Sequence, residues 1–286
     1  MQLKVGTMVA RKSYGCDILF RITELDFENK IAILCGEDIR LVADAPFHDL
    51  VFVDEREKQK HKELEKKRQD ETIRMFRQHY RVVQEKMTYL VTDEYTMQKS
   101  FFELPGQVLH IDGDAHYLSK CEELYKKLGV PFIGFHMTEE EMVKKVPPLF
   151  EQYQPHIIVI TGHDAYLKQK GEVDELKAYR HTRFFIETVK KIRKRTLQLD
   201  YPIIFAGACQ SHFEKLIRAG ANFASSPARV NIHALDPVYI AAKCSYTPIT
   251  EYLNVWEVLK HTITGEKGVG GIDTKGTLRT GMPFKK

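Results

Sequence analysis

The chain has 286 residues, of which 43% are hydrophobic, so we expect a globular protein with a sizeable buried core. Its formal net charge of +4 is small and spread along the chain, which argues against a nucleic-acid partner. Five irregularly spaced cysteines without a Cys-x-x-Cys pair fit a reducing cytoplasm better than a disulfide framework or a zinc site, and no apolar run is long enough to predict a membrane span.

The N-terminal segment, residues 1–54, alternates apolar and polar positions in short runs, with a turn signal at residues 26–30. Five such runs predict a small antiparallel β-barrel resembling an SH3 or Tudor module. Modules of this kind bind peptides or nucleic acids, and others serve only to pack against a neighbouring domain. Both roles stay open for this segment.

Residues 55–104 are expected to form a charged helical connector, because residues 55–72 are mostly charged side chains of mixed sign. The second half of the predicted helix carries an apolar stripe at spacings of three and four residues, which is typical of a helix that docks on a neighbouring surface. The stripe consists of Ile73, Phe76, Tyr80, Val83 and Met87. Core packing is the expected role, with dimerisation as the alternative.

Residues 105–264 alternate strand-like apolar runs with amphipathic segments. This order predicts an α/β domain with a mostly parallel sheet and helices on both faces. Strands are predicted at 107–112, 132–136, 156–161, from 203 and near 223, and helices at 115–128, after Thr138, at 176–199, 210–220 and 237–244.

Three local features refine this pattern. Thr138 and Glu141 have the spacing of a capping box that opens a helix, and the prolines at 147 and 148 are expected to bend or interrupt that helix. Residues 265–286 carry six glycines without the strand-to-helix context of a phosphate loop. We expect a Gly-rich tail or an irregular edge hairpin there.

Two stretches, residues 157–164 and 203–211, each begin as an apolar strand and end in small residues followed by a reactive side chain. These side chains are His163 and Cys209, and their separation of 46 positions leaves room for one helix between neighbouring parallel strands. Because the carboxyl ends of parallel strands share one edge, we expect the imidazole and the thiol to meet there. The predicted helix at 210–220 would place the thiol at a helix N-terminus, which favours thiolate.

This pairing predicts nucleophilic catalysis, with Cys209 attacking a carbonyl and His163 acting as its base and later as the acid. The expected donors to the oxyanion are the backbone N–H of Cys209 and one near Gly162, where the missing side chain lets substrate approach. No metal or other cofactor is expected for this chemistry.

Two other functions compete with this interpretation. The same edge offers the ligand types of a divalent-metal hydrolase, namely Asp112, Asp114, His116, His163 and Asp164. That hypothesis leaves Cys209 without a role. The second alternative is a non-enzymatic assembly protein whose barrel and apolar stripe recruit partners.

The strand ending in Gly-His and the strand ending in Ala-Cys resemble the caspase, gingipain and clostripain clan of cysteine peptidases, in which the histidine lies about 50 residues before the cysteine. This chain has Gly162-His163-Asp164 where the clan usually has His-Gly, and Gly207-Ala208-Cys209-Gln210-Ser211 where caspases have Gln-Ala-Cys-x-Gly. The resemblance implies a caspase-like fold for residues 105–264.

A more specific resemblance covers nearly the whole chain. It rests on Lys-Val-Gly-x-x-Val-x-Arg-Lys-Ser-Tyr at 4–14, Leu-His-Ile-Asp-Gly-Asp at 109–114, Ile-Thr-Gly-His-Asp at 160–164, Ala-Gly-Ala-Cys-Gln-Ser at 206–211 and Ala-Ser-Ser-Pro-Ala-Arg-Val-Asn-Ile-His at 224–233. Together these motifs resemble the YabG family of sporulation-specific proteases from endospore-forming bacteria. The resemblance implies a cysteine peptidase of the mother-cell cytoplasm, associated with the forming spore coat, that cleaves coat and cortex-associated proteins after arginine.

The resemblance also implies roles for individual residues. Cys209 is the nucleophile and His163 its partner. In arginine-specific members of the clan, an aspartate about 50 residues before the histidine binds the substrate guanidinium; Asp114 is favoured for this role here and Asp112 is close behind. Capping of the following helix is the structural alternative for both.

Three further expectations complete the site. Ser225 and Ser226 are expected to line the specificity pocket, and Asp164 and His212 are weak candidates for a third catalytic residue. The basic run at 190–195, which includes Arg193 and Arg195, is either a solvated helix face or a point of self-cleavage. The sequence does not determine the oligomeric state.

Overall fold

The computed structural model describes residues 2–91, 102–196 and 198–281, with side chains omitted from residue 86 to residue 91. The chain begins with a five-stranded antiparallel sheet in the order β4-β3-β2-β1-β5. Its strands are β1 (Met8–Arg11), β2 (Phe20–Asp26), β3 (Ile31–Gly36), β4 (Val42–Pro46) and β5 (Leu50–Phe52). We call it the N-terminal sheet. The expected strands are present, whereas closure into an SH3- or Tudor-like barrel stays a prediction.

A helix of 37 residues, α1 (Glu55–Val91), follows the N-terminal sheet. Ile73, Phe76 and Val83 of the predicted stripe are buried, and the first two belong to the core on one face of the main sheet. The docking role of the stripe is therefore confirmed for these residues. Met87 lies outside the described side chains.

The main sheet has six strands in the order β13-β11-β10-β9-β7-β8. They are β7 (Val108–Asp112), β8 (Phe132–His136), β9 (Ile157–Thr161), β10 (Ile203–Ala206), β11 (Phe223–Ser225) and β13 (Val269–Gly271). Every neighbouring pair is parallel except β11 and β13, which are antiparallel. The predicted mostly parallel sheet is confirmed.

Helices cover both faces of this sheet, as predicted. They are α2 (Ala115–Leu128), α3 (Glu139–Tyr153), α4 (Thr182–Arg193), α5 (Phe213–Arg218), α6 (Asp236–Tyr246) and α7 (Val255–Leu259). The alternating side chains of β9 divide between two apolar cores: Ile157 and Val159 pack with α1, α2 and α6, whereas Ile158 and Ile160 pack with α3, α4 and α5. A strand buried on both faces explains its continuous apolar sequence.

Three elements differ from the sequence-based expectation. The capping box at Thr138 is present, but α3 continues through Pro147 and Pro148 because its apolar face packs on the sheet and on α4, which offsets the lost backbone bond. The basic helix begins at Thr182, since residues 164–181 follow an irregular path. The helix after Cys209 begins only at Phe213.

The glycine-rich C-terminal segment is also more ordered than expected. It contributes β13 to the edge of the main sheet and two further short strands, β14 (Thr274–Lys275) and β15 (Arg279–Gly281). These pair with β12 (Tyr252–Leu253) and β6 (Phe102–Leu104) respectively. Glycines are needed here for close packing, since a Cβ at Gly271 would lie 2.5 Å from the carbonyl oxygen of Asn222.

Across residues 2–91, 102–196 and 198–281, no helix combines the length and the apolar character that crossing a bilayer requires.

Candidate active site

The candidate site lies at the carboxyl edge of β7, β9 and β10, which are adjacent and parallel. Ile160 of β9 is directly opposite Ala206 of β10. His163 and Cys209 each follow these paired positions by three residues, so the two strands deliver them to the same edge of the sheet. Asp112 ends β7, the strand on the other side of β9.

His163 lies between two carboxylates. Its Nε2 is 3.3 Å from Oδ2 of Asp114 and its Nδ1 is 3.7 Å from Oε1 of Glu139, while its backbone N–H donates to the same Glu139 oxygen at 2.7 Å. Burial lowers the pKa of His163, but hydrogen bonds to Asp114 and Cys35 and the two negative charges outweigh burial and raise the pKa to about 9. The imidazole is therefore protonated at neutral pH in this conformation.

The raised pKa of His163 should make the stability of the folded chain depend on pH. A histidine whose pKa rises on folding stabilises the protein below its unfolded pKa of about 6.5, and this contribution is lost as the pH rises through about 9. We expect unfolding in urea to show about 3 kcal/mol less stability at about pH 10 than at about pH 6 from this group. The variant His163→Gln should lose this pH dependence, whereas His156→Gln, at a histidine with a lowered pKa, should keep it. An equal change of unfolding free energy with pH in both variants would show that His163 is not the group responsible.

The thiol of Cys209 is fully buried and accepts a hydrogen bond from the backbone N–H of Ile232 at 3.2 Å. Burial raises the pKa of Cys209 to about 12. The expected thiolate at a helix N-terminus is therefore wrong for this conformation, because α5 starts four residues later, at Phe213. Ala206 and Ala208 belong to the apolar core on one face of the sheet. The thiol of Cys209 is covered by the backbone around Ile232.

A buried hydrogen-bond network joins the loops that carry His163 and Cys209. Asp164 accepts bonds from the hydroxyl of Ser211 at 2.8 Å, from the hydroxyl of Thr182 and from the backbone N–H of His181 at 2.8 Å. Ser211 in turn accepts from the backbone N–H of Ala208 at 3.0 Å. The carboxylate of Asp164 thus ties the two loops together and is committed to this network.

The two aspartates after β7 have different roles in the structure. Oδ1 of Asp114 caps α2, accepting from the backbone N–H groups of His116 and Tyr117 at 2.7 and 3.2 Å. Asp112 instead forms a bidentate ion pair with Arg40 of the N-terminal sheet, at 2.9 and 2.8 Å, and both side chains are fully buried. The capping alternative thus applies to Asp114, and Asp112 is the aspartate that holds a guanidinium.

The remaining predicted residues all lie close to these loops. The Cα of Gly162 packs against Gly113, and a Cβ at Gly162 would lie 2.3 Å from Oε1 of Glu139. Ser225 and Ser226 are buried, and their hydroxyls donate to the carbonyl oxygens of Ala208 and Val230 at 2.7 Å each. In this conformation Ser225 holds the Cys209 loop, and Ser226 stabilises the turn that follows β11.

Comparison with known proteins identifies the family. The family model described as YabG peptidase U57 matches residues 4–283. The chain belongs to this family. The sporulation-specific protease YabG of Bacillus subtilis (strain 168) is 55% identical over 288 residues, which cover 100% of this chain and 99% of that protein. The comparison with solved structures finds no match. This member of the YabG family is accordingly a peptidase of sporulation.

The residues proposed for metal binding divide among four environments in this YabG-family chain. Asp112 pairs with Arg40, Asp164 serves the network around Ser211, and His116 faces Glu37 with 3.5 Å between Nε2 and Oε1. Asp114 and His163 do lie together, with Cys35 as the third possible ligand within 4.8 Å. The five predicted ligands are therefore not gathered around one point.

Four residues of this site were missed by sequence reasoning. Cys35 comes from β3, Arg40 from the connection between β3 and β4, Tyr117 from the first turn of α2 and Glu139 from the first turn of α3. The Tyr117 ring centroid is 6.0 Å from that of His163. No local motif marks any of these residues, because each reaches the site through contacts between distant segments.

The basic run contains one residue with an unexpected structural role. Arg193 donates to four carbonyl oxygens, those of Gly220, Gln198, Pro202 and Leu199, and to the side chain of Asn222. It therefore joins the end of α4 to the loops around β10. Arg195 is more exposed and pairs with Glu151.

Proposed function

We propose that this peptidase is a cysteine endopeptidase that uses Cys209 and His163 and cleaves spore-coat and cortex-associated proteins after arginine. The observation that carries the proposal is the register of β9 and β10, which brings both residues to one edge of the sheet. The same proposal gives the α/β domain a caspase-like fold and the N-terminal sheet an SH3- or Tudor-like barrel. It places the protein in the mother-cell cytoplasm.

The proposed mechanism has two half-reactions. The thiolate of Cys209, which has lost its proton to solvent beside the protonated His163, attacks the carbonyl carbon after arginine and forms a C–S bond. The developing oxyanion accepts hydrogen bonds from the backbone N–H of Cys209 and one near Gly162. The C–N bond breaks as His163 protonates the leaving amine, which leaves a thioester and a neutral imidazole. Water then attacks the thioester while His163 takes its proton, the C–S bond breaks, and the acid product and the thiolate are released.

The electrostatics of His163 support this mechanism once the thiol is uncovered. A pKa of about 9 leaves the imidazole protonated near neutral pH, and a neighbouring imidazolium lowers the pKa of a thiol that is no longer desolvated. Asp114 and Glu139 hold this charge in place. Asp114 thus acts as a positioning residue for His163 in this proposal.

The arginine preference is supported by Asp112, whose buried carboxylate already binds a guanidinium in two-point geometry. Planar bidentate pairing of this kind favours arginine over lysine. Ser225 and Ser226 are proposed to border the same pocket when substrate is bound.

The experiment that tests the proposal distinguishes thiol from metal chemistry. The purified full-length chain is assayed with a short arginyl peptide carrying a fluorogenic amide, and iodoacetamide or EDTA is added during turnover. We expect iodoacetamide to abolish hydrolysis with the adduct on Cys209, and EDTA to leave the rate unchanged. Loss with EDTA and resistance to iodoacetamide would favour the metal hydrolase, and a chain without hydrolysis in any condition would favour the assembly protein.

A further inference from the structure

The segment that covers the candidate site belongs to the chain itself. Residues 36–40, which we call the covering segment, run from the last residue of β3 towards β4 and lie over the carboxyl edge of the main sheet. Ile39 forms an antiparallel bridge with His233. The backbone N–H of Arg40 donates to the carbonyl oxygen of Ile232 at 3.1 Å, and that of Ala234 donates to Asp38 at 2.8 Å. The covering segment is thus held by one antiparallel bridge and the backbone hydrogen bonds on either side of it.

The stretch on which it pairs, residues 232–234, also contacts the nucleophile. Ile232, the partner of Arg40, donates its own N–H to Sγ of Cys209 at 3.2 Å. An extended peptide paired at residues 232–234 therefore runs past the thiol. Pairing of an extended segment with an exposed strand is a general mode of peptide recognition, in which main-chain bonds provide affinity and side-chain pockets provide specificity.

The side chain of Arg40 occupies a pocket built for a guanidinium. Besides the two bonds to Asp112, Nε and Nη2 donate to the carbonyl oxygen of Ala234 at 3.3 and 3.1 Å, and Cζ lies 5.0 Å from the ring centroid of Tyr117. The main-sheet side of the pocket also orients the carboxylate, since Asp112 accepts from the backbone N–H of Asp114 at 3.0 Å. The pocket therefore matches the positive charge and the planar shape of a guanidinium and provides an aromatic ring beside it.

Simple docking of the N-terminal sheet does not explain this ion pair. Burying a guanidinium and a carboxylate carries a desolvation penalty that well-packed apolar side chains avoid. A dedicated arginine-binding pocket, by contrast, needs these groups. We propose that the covering segment occupies the substrate site as an intramolecular substrate mimic. Arg40 then fills the arginine pocket, and residues 232–234 are the stretch on which substrate peptides pair.

This inference rests on the proposed function and adds a regulatory consequence. The closed conformation buries Cys209 and fills the arginine pocket, so substrate competes with the covering segment. When only the open fraction binds substrate, the apparent KM equals the intrinsic KM divided by that fraction. Weakening the covering segment should therefore lower KM for an arginyl peptide and leave kcat unchanged.

Lys120 of α2 offers a way to weaken the covering segment without altering the site. Its Nζ donates to the carbonyl oxygen of Glu37 at 2.6 Å, to the Glu37 carboxylate at 2.8 Å and to Asp38 at 3.1 Å. The variant Lys120→Glu places a negative charge against these carboxylates. Lys126→Glu is the matched control, because Lys126 lies on the same helix and forms its ion pair with the exposed Glu122 instead of the covering segment.

The test measures hydrolysis of the fluorogenic arginyl peptide and, separately, the rate at which iodoacetamide alkylates Cys209 in full-length protein. For Lys120→Glu we expect KM to fall and the alkylation rate to rise, each roughly tenfold, because like charges disfavour the closed contact. Lys126→Glu should match the unaltered chain in both measurements. Thermal melting establishes that the compared proteins are folded.

A second variant addresses the mimicry itself. Arg40→Ala should give the same changes as Lys120→Glu, and Arg40→Lys, which keeps the charge but not the planar fork, should give intermediate values. If Arg40→Ala does not fold, Lys120→Glu decides the matter. Equal KM and equal alkylation in Lys120→Glu and Lys126→Glu would overturn the inference, as would a change confined to kcat.

The outcomes also separate this inference from the proposed function. Adding Cys209→Ala to the Lys120→Glu variant should abolish hydrolysis; persistent hydrolysis would overturn the cysteine mechanism. Alkylation of Cys209 reports on the covering segment even in a chain without activity. Faster alkylation of Lys120→Glu without any hydrolysis would therefore show that the covering segment shields the thiol, and it would reject the role of this segment as a mimic of substrate.

Discussion

Replacing Cys209 with alanine is expected to lower kcat/KM for an arginyl peptide by about 10⁴-fold or more, because the acyl-enzyme route disappears with its nucleophile. The fold should persist, since the change removes one buried sulfur and leaves the backbone of the loop in place. The measurement is steady-state hydrolysis of the fluorogenic peptide, with thermal melting of the same preparations.

Cys244 provides the matched control for this substitution. It is also fully buried and its pKa is also raised to about 12 by burial, but it lies in α6 within the core on one face of the sheet. Cys244→Ala should therefore reduce stability modestly, by about 1–2 kcal/mol, and retain activity. Activity that survives in Cys209→Ala, or is lost equally in both variants, would reject Cys209 as the nucleophile.

Asp112→Asn is expected to lower kcat/KM for the arginyl peptide by about 10²–10³-fold, because the substrate guanidinium loses its charged, two-point partner. A citrulline peptide has nearly the same shape as the arginyl peptide without the charge, so its slow hydrolysis should change little. The measured quantity is the ratio of kcat/KM for the two peptides, which should fall by about the same factor as the arginyl rate.

The same substitution leaves Arg40 buried opposite an uncharged group, which destabilises the folded chain by about 3–5 kcal/mol. The double variant Arg40→Gln with Asp112→Asn removes both charges and should recover most of this stability. It should not recover the preference for arginine. A double variant that regains arginine selectivity would show that Asp112 acts only as an anchor for the N-terminal sheet.

The α/β part of the fold was largely predictable because its signals are local. The run at 157–161 is β-branched throughout, and the α2 boundaries follow from the Asp114 cap and the Gly129 C-cap. Glycine at 129 adopts a φ of 70°, which ends a helix at little energetic cost. Neighbouring parallel strands then brought His163 and Cys209 to one edge.

The elements that were predicted less well depend on contacts between distant residues. The start of α4 is determined by Asp164, 18 residues before Thr182, which accepts a bond from its hydroxyl. The glycine-rich segment becomes an edge strand because β11 offers it hydrogen bonds. Local propensity carries no information about either partner, so the sequence placed the start of α4 too early and left the glycine-rich segment between a tail and an edge hairpin.

The sequence by itself determined which residues are able to perform the chemistry, since strand ends, caps and residue types are properties of short segments. Only the tertiary structure decided what surrounds those residues. Arg40 meets Asp112 across 72 residues of chain, and Ile232 meets Cys209 across 23. The first pairing depends on how the N-terminal sheet docks on the main sheet, and the second on how the chain around Ile232 folds over the Cys209 loop. Both depend on complementary surfaces, which no periodicity in the sequence reports.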